Sequence, residues 1–268
     1  MSRAGLLLLA ACGAADARVA PLAAPVPPTK SAGAVEVGLN PGETMAFEVR
    51  VAGMLAGEAQ LAVGALGEYE GHRAVVVKSH AATAGAAALV KHIVDEATTV
   101  IDMESGRPLA LETLVEQGDT RTTATAKFSG NRAVITYARA DEKTPHTQKL
   151  DFGSVMVHDA HSAMAELRGW RASPGATRTV FVVGGRRVWR VDVKLIGLDT
   201  IGSAIGNRRA IHFTGESYRT NRSLTAETAK PSRTFSVWLS DDADRVPLKL
   251  TASTELGDIV MELTEYSR

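Results

Sequence analysis

The strongest constraint on the fold is an alternation of apolar and polar side chains that recurs along most of the chain. It is clearest in the apolar residues of one early run, Met45, Phe47, Val49 and Val51. A period of two is typical of a strand with one buried face. Turn residues separate the later runs, as at Gly118-Asp119 and Gly184-Gly185. The pattern predicts roughly a dozen strands joined mainly by short turns.

Two segments interrupt this rhythm. The alanine-rich stretch from Ala84 to Val90 can form a short helical turn, and Asp159 to Trp170 reads as a clear helix that Asp159 can cap. The apolar residues of the second segment fall on one face, which we expect to be its buried face. They are Ala160, Ala163, Met164, Leu167 and Trp170.

The fold class that follows is mainly β. A sheet of this size curls instead of staying flat, and its apolar face needs a cover. We therefore expect one large curled antiparallel sheet, an incomplete β-barrel, covered by the mid-chain amphipathic helix. The sheet and helix would form a single β-rich domain over residues 41–268.

The N-terminus carries an export signal. Arg3 precedes the apolar run Leu6 to Leu9, and Leu9-Ala10-Ala11-Cys12 is similar to the lipobox of bacterial lipoproteins. Residues 1–11 are therefore predicted to be a signal peptide, with Cys12 as the lipid attachment site. The alternative is an ordinary secretory signal cut after Ala17. Cys12 is the only cysteine, so the exported domain has no internal disulfide.

Residues 12–40 are rich in alanine and proline and are predicted to be a tether between the anchor and the domain. A flexible chain of this length spans on the order of 30 Å on average and roughly 85 Å when extended. The predicted location is the periplasmic side of the cell envelope, at the outer membrane. The membrane is then the first predicted partner, bound through the lipid anchor.

Charge and motifs exclude several functional classes. Lysine and arginine together number 30, as do aspartate and glutamate, and no basic block interleaves with aromatic residues. Nucleic acid is therefore not an expected partner. The sequence lacks a phosphate-binding loop, a dinucleotide fingerprint, a nucleophile elbow and a zinc-protease motif, so we expect no cofactor and no catalytic residues.

The ligand-binding candidates lie on the predicted helix. Arg168 would reach the rim of any cavity under the helix, where its guanidinium can bind a phosphate or carboxylate headgroup. The alternative is that Arg168 complements the helix dipole and pairs with a carboxylate on a nearby strand. Ser162 and Trp170 complete the set, although Trp170 also suits a core position.

Three other groups of residues resemble functional sites only in part. His158 and His161 are spaced to share two positions of a metal site, but no third ligand is indicated nearby. Asp241, Asp242 and Asp244 resemble a calcium loop in composition, although a turn suits them better. Ser162 and His158 could be paired as nucleophile and base, but no orienting carboxylate can be assigned. We expect no metal site and no enzymatic activity.

Four short motifs, in order, resemble those of the bacterial domain-of-unknown-function family numbered 3108. They are Asn40-Pro41-Gly42-Glu43, Ile101-Asp102 with Arg107-Pro108, Asp159 to Ala163 running to Leu167-Arg168, and Trp238 to Asp242 running to Arg245-Val246-Pro247. The resemblance spans residue 41 to the end. It implies an exported all-β protein of Gram-negative bacteria with no established activity.

Three functions remain open at this point. The first is a non-catalytic envelope lipoprotein that encloses an apolar groove for a lipid or an acylated partner. The second is a scaffold or assembly factor that binds another envelope protein through a sheet edge. The third is an enzyme acting on envelope glycan or lipid. An open apolar cavity would favour the first, a filled core the second, and converging carboxylates or histidines in a cleft the third.

Overall fold

The computed structural model describes residues 37–203, 205–221, 223–227, 231–254 and 257–268. The predicted signal peptide, Cys12 and most of the predicted tether lie outside these ranges. Within these ranges the chain forms sixteen strands and two helices. No helix of the described ranges is long and apolar enough to cross a membrane.

The first half of the domain is a meander of antiparallel strands with one short helix between the fourth and fifth. The elements are β1 Thr44–Val51, β2 Met54–Val63, β3 Gly67–Tyr69, β4 His72–Thr83, α1 Gly85–Val90, β5 Ile93–Asp102, β6 Pro108–Gln117, β7 Thr120–Ser129, β8 Arg132–Arg139 and β9 His146–Asp151.

The second half begins with a short strand that leads directly into the main helix. Its elements are β10 Val157–Asp159, α2 Ala160–Gly169, β11 Thr177–Gly184, β12 Arg187–Ser203, β13 Gly206–Arg219, β14 Arg233–Ser240, β15 Pro247–Thr254 and β16 Gly257–Ser267. The stretch from Gly202 to Gly206 includes the end of β12 and the start of β13.

All strands belong to one sheet, ordered β10-β11-β12-β13-β14-β15-β16-β1-β2-β4-β5-β6-β7-β8-β9, with β3 added to β4. The β10–β11 pair is parallel, and the other pairs are antiparallel. The C-terminal strand β16 lies beside β1, so the two halves of the chain join in the middle of the sheet. The order ends at β10 and β9, which leaves the barrel unclosed. This confirms the predicted fold class.

The curl brings distant strands into contact. A side chain at Gly185, in the β11–β12 turn, would meet Thr113 Oγ1 of β6 at 3.4 Å and the Cβ of Ala124 in β7 at 4.0 Å. The turn therefore reaches the opposite wall of the barrel. Side chains from β6, β7 and β8 pack there against β10, β11 and β12 in one hydrophobic cluster.

The inward faces of the strands carry the core, as the alternation predicts. Four hydrophobic clusters lie along the concave side, and large side chains such as Phe213, Ile135 and Leu263 are fully buried in them. Helix α2 packs against two of these clusters, through Ala165 in one and through Met164 and Leu167 in the other. Helix α2 and these side chains therefore occupy much of the concave side.

Candidate functional site

Helix α2 begins with a complete capping box. The Asp159 carboxylate accepts hydrogen bonds from the backbone N–H of His161 and of Ser162, both at 3.1 Å. In return the Ser162 hydroxyl accepts from the backbone N–H of Asp159 at 3.0 Å. This arrangement satisfies backbone donors that a helix start leaves free. It confirms Asp159 as the cap and shows that Ser162 stabilises the start of the helix.

A buried polar cluster connects this helix start to the sheet. The Thr99 hydroxyl of β5 donates to Asp159 Oδ2 at 2.6 Å and lies 2.7 Å from His161 Nδ1. The other ring nitrogen of His161, Nε2, is hydrogen-bonded to the Ser79 hydroxyl of β4. All four side chains are buried. The Thr99 hydroxyl donates its proton to Asp159, so its oxygen accepts a hydrogen bond from His161 Nδ1–H. His161 Nε2 in turn accepts a hydrogen bond from the Ser79 hydroxyl.

The order Ser79, His161, Asp159 follows that of a hydrolase triad, which bears on the enzyme alternative. His161 Nδ1 lies 3.6 Å from Asp159 Oδ2, and the Thr99 hydroxyl bridges the two groups. Ser79 is only 1% exposed, and it does not line the groove over β11 to β16 that is described below. A nucleophile must reach its substrate. In this arrangement the cluster fastens α2 to β4 and β5.

The C-terminal half of α2 is held by a buried ion pair. Arg168 donates from Nη1 to Glu43 Oε1 at 2.6 Å and from Nη2 to Glu43 Oε2 at 2.9 Å, with both side chains at most 1% exposed. Nη2 also donates to the backbone carbonyl of Asp244 at 2.8 Å. A bidentate pair of this kind fixes orientation as well as distance. It joins α2 to the start of β1 and to the β14–β15 loop.

Three of the four family motifs, the first, the third and the last, lie together around the Glu43–Arg168 ion pair. Asn40 donates to Glu43 Oε2 at 3.3 Å and to Asp244 Oδ1 at 3.1 Å, so the first motif also reaches the last. Arg245 of the last motif donates to the backbone carbonyl of Trp170 at 2.6 Å. Short motifs far apart in the sequence therefore build one anchor around the end of α2. The individual motifs gave no sign of this convergence.

The predicted ligand-binding residues are all buried. Arg168 is 1%, Ser162 0% and Trp170 9% exposed, so Arg168 does not occupy the open rim that we expected. The reason is Glu43, which draws the guanidinium inward, as the alternative of a strand carboxylate anticipated. Binding of a ligand by Arg168, Ser162 or Trp170 stays a prediction. Any such ligand would first have to replace these internal contacts.

The expected buried face of α2 needs correction. The residues buried within the helix are His161, Ser162, Ala165 and Arg168. Among the expected residues, Ala160, Ala163, Met164 and Leu167 are only half-buried, whereas Trp170 is buried. The polar face turns inward because Ser79, Thr99 and Glu43 supply it with partners. The hydrophobic periodicity of the helix gives no information about polar partners on distant strands.

His158, at the centre of β10, is a second buried histidine. It is 1% exposed, and neither ring nitrogen has a hydrogen-bond partner among the described residues. Desolvation lowers the pKa of His158 to about 4, against an opposing effect of Asp159. The pairing of Ser162 with His158 as nucleophile and base is wrong, since the Ser162 hydroxyl bonds to Asp159 Oδ1 at 2.6 Å.

The acidic loop between β14 and β15 forms a turn. Asp242 Oδ1 accepts from the backbone N–H of Asp244 at 3.1 Å and from that of Arg245 at 3.0 Å. Asp241 pairs with Arg209, and Asp244 pairs with Arg268. Across the described ranges, no group of three or more His, Cys, Asp or Glu side chains is arranged to hold a metal ion.

A groove of about 900 Å³ crosses β11 to β16 on the outer face of the sheet. Its lining combines hydroxyl groups, such as Thr177, Thr214 and Thr251, with charged side chains of both signs, such as Asp192 and Lys194. Thr214 is on the outer side because its neighbour Phe213 is fully buried in the core. The groove is therefore open and mixed in polarity, unlike the apolar groove that we expected on the concave side.

The last strand of the sheet, β9, has an exposed edge. It pairs with β8 from Tyr137↔His146 to Arg132↔Asp151, and the strand order ends with it. Most of its residues are exposed, with Gln148 and Leu150 half-buried. The β10 end differs, because all three β10 residues are buried. The outward backbone groups of β9 are thus available for pairing with another strand.

The fold is an incomplete β-barrel, and helix α2 is attached to its inner side. The chain belongs to the family described as "Protein of unknown function (DUF3108)", whose model matches residues 46–264. This agrees with the resemblance carried by the four motifs. A comparison with curated proteins gives no match.

Solved structures include similar folds at low sequence identity. A β-barrel-like protein of the DUF1849 domain of unknown function, from Brucella abortus, has a TM-score of 0.55 and 9% identity, covering 84% of this chain and 97% of its own. The hypothetical lipoprotein YmcC from Escherichia coli K12 has a TM-score of 0.31 and 12% identity, covering 87% of this chain and 88% of its own. The first similarity supports the barrel-like architecture.

Proposed function

We propose that this protein is a non-catalytic component of the bacterial cell envelope that recruits another envelope protein through the free edge of β9. The observation that carries the proposal is the contrast between a packed concave side and an unpaired edge strand. An exposed strand offers backbone donors and acceptors to an incoming strand, and side-chain pockets on either side then give specificity. A carrier for lipid would instead need an open apolar cavity.

The anchor is the second part of the proposal. The mature chain begins at Cys12, carries lipid on that residue and is held on the periplasmic side of the outer membrane. The position of the single cysteine directly after the apolar run supports this. Mass spectrometry of the N-terminal peptide tests it: an acylated Cys12 is expected, and an unmodified N-terminus that follows Ala17 would show an ordinary secretory signal instead.

Site-specific photocrosslinking in intact cells tests the edge. A crosslinking side chain is placed at Lys149, which is exposed on β9, and in a separate variant at Lys127. Lys127 is the matched control, because it is also an exposed lysine but lies on β7, which has paired neighbours on both sides. We expect a discrete protein adduct from position 149 alone. The same adducts from both positions, or none from 149, would contradict the proposal.

A further inference from the structure

One end of the barrel presents an exposed apolar surface, which we name the apolar tip. It consists of Leu89 and Val90 of α1, which are 90% and 89% exposed, and of Met54 and Leu55 at the start of β2, which are 72% and 41% exposed. The two segments are adjacent, since the backbone N–H of Ala84 donates to the carbonyl of Ala56 at 3.0 Å. None of the α1 side chains is buried.

The apolar tip is convex and has a basic flank. Helix α1 is six residues long and protrudes between β4 and β5, so it forms a knob and not a groove. Lys91 and His92 follow it directly and are exposed, and no acidic residue occurs from Ala82 to His92. Protruding leucine and valine beside the Lys91 ammonium suit an anionic lipid surface, which accepts apolar side chains without a matching pocket.

The position of the tip relative to the tether allows contact with the membrane. The described chain enters at the opposite end of the barrel, where Val37 lies beside Gly106 in the β5–β6 turn. The ten residues of β5 separate the two ends by about 33 Å. A tether with an extended length of roughly 85 Å covers this distance. The domain can therefore tilt so that the tip meets the bilayer to which the chain is anchored.

We propose that the apolar tip inserts into the surface of an anionic bilayer and provides a second membrane contact that does not depend on acylation of Cys12. Acyl chains on Cys12 would fix only the start of the tether, and a flexible tether leaves the orientation of the domain free. The two contacts together would hold the domain in a fixed orientation. The proposal concerns a different surface from β9 and stands whether or not a protein binds there.

A fluorescent reporter tests insertion directly. The predicted mature chain, residues 12–268, contains every described residue and, with Cys12→Ser, cannot be acylated there. Because Cys12 is the only cysteine, adding Leu89→Cys creates a single thiol for an environment-sensitive dye. Leu198→Cys is the matched control, since Leu198 is a leucine that is 60% exposed on β12. Vesicles of phosphatidylethanolamine and phosphatidylglycerol should shift the emission of the dye at position 89 to the blue and leave that at position 198 unchanged.

A charge variant gives the complementary result. In the same Cys12→Ser chain, Leu89→Asp with Val90→Asp should weaken partitioning into these vesicles at least about tenfold. The melting temperature should stay the same, because neither side chain is buried. No blue shift at position 89, or an equal shift at position 198, would overturn the proposal. A concentration-dependent dimer that the aspartates dissociate, without vesicle binding, would overturn it in favour of a second copy of the chain.

Discussion

At the scale of single residues, the ion pair between Glu43 and Arg168 is the contact on which the attachment of α2 most depends. Both groups are buried, so each charge is stabilised mainly by the other and by a few further hydrogen bonds. Removing one partner of such a pair leaves an uncompensated charge in the interior. Surface pairs lack this dependence, because water replaces the lost partner.

Arg168→Met should lower the free energy of unfolding by about 3–5 kcal/mol. Arg132→Met is the control, because Arg132 and Asp151 form an exposed pair with 75% and 58% of their side chains accessible. Its cost should be much smaller, because water screens an exposed pair. Urea denaturation measures both values. Adding Glu43→Leu to Arg168→Met should restore part of the loss, and equal costs for the two single variants would show that the buried pair is not important.

His158 should make stability fall with acidity. Its pKa is about 4 in the folded protein and about 6.5 when unfolded, so between these values the unfolded chain binds more protons. The contribution of His158 is complete above pH about 6.5, and about 3 kcal/mol of it is lost as the pH falls through 4. His158→Leu should flatten the difference in stability between pH 7 and pH 4. An unchanged difference in His158→Leu would show that His158 is hydrated.

Asp95 has the opposite effect on the pH dependence. It faces inward on β5 between Ala81 and Val115, and burial raises the pKa of Asp95 to about 7. The folded state therefore holds its proton longer than the unfolded state, and stability is lost as the pH rises from about 4 through 7. Asp95→Asn should raise the melting temperature at pH 8 and change it little at pH 4. A rise of the same size at both values would point to packing instead of ionisation.

At the scale of elements, α2 is also held by the segment that precedes β1. The backbone N–H of Gly38 donates to the carbonyl of Ala165 at 3.2 Å. A Cβ at this position would lie 2.3 Å from the Cβ of Arg168 and 2.6 Å from the backbone nitrogen of Gly169. Only glycine permits this close approach. The segment therefore crosses the helix like a strap.

Gly38→Ala should lower the free energy of unfolding by about 1–3 kcal/mol, because the strap must move away from α2. Gly202→Ala is the control, since its Cβ would meet nothing closer than 3.5 Å and its backbone is not in the left-handed region. Thermal melts of the two variants should separate clearly. If their melting temperatures agree, the strap does not contribute to stability.

The elements also show what the sequence can predict. Strands with one apolar face, such as β1 and β13, follow the alternation, and the short helical turn and the capped helix were both anticipated. Strand β5 was missed because its inward positions include Asp95 and Thr99, which break the apolar rhythm. Strand β9 was missed because it is mostly exposed and carries no apolar face to detect.

The candidate site was harder to predict than the fold for a related reason. The polar residues of α2 acquire their partners from β4, β5 and the start of β1, which are 60 or more residues away in the sequence. Nothing local marks Ser79 or Thr99 as partners of His161. Glu43 and Arg168 were both within quoted motifs, but their pairing depends on how the sheet curls. Long-range pairing of this kind requires the three-dimensional structure.

At the scale of the whole molecule, the concave side of the barrel is occupied largely by the protein's own side chains. The helix, the β11–β12 turn and four clusters occupy that side. The outward surfaces then remain for binding: the free edge of β9 for a protein, the apolar tip for the membrane, and the mixed groove over β11 to β16. A filled interior is what separates a scaffold from a lipid carrier.

Native mass spectrometry tests this central claim most directly. The predicted mature chain with Cys12→Ser is exported behind a cleavable secretory signal, purified from the periplasm without detergent and weighed intact, so that any non-covalent lipid adds to its mass. We predict the mass of the protein alone, because α2 and the four hydrophobic clusters occupy the concave side. A stoichiometric lipid adduct that persists through purification would contradict the account and restore the carrier function.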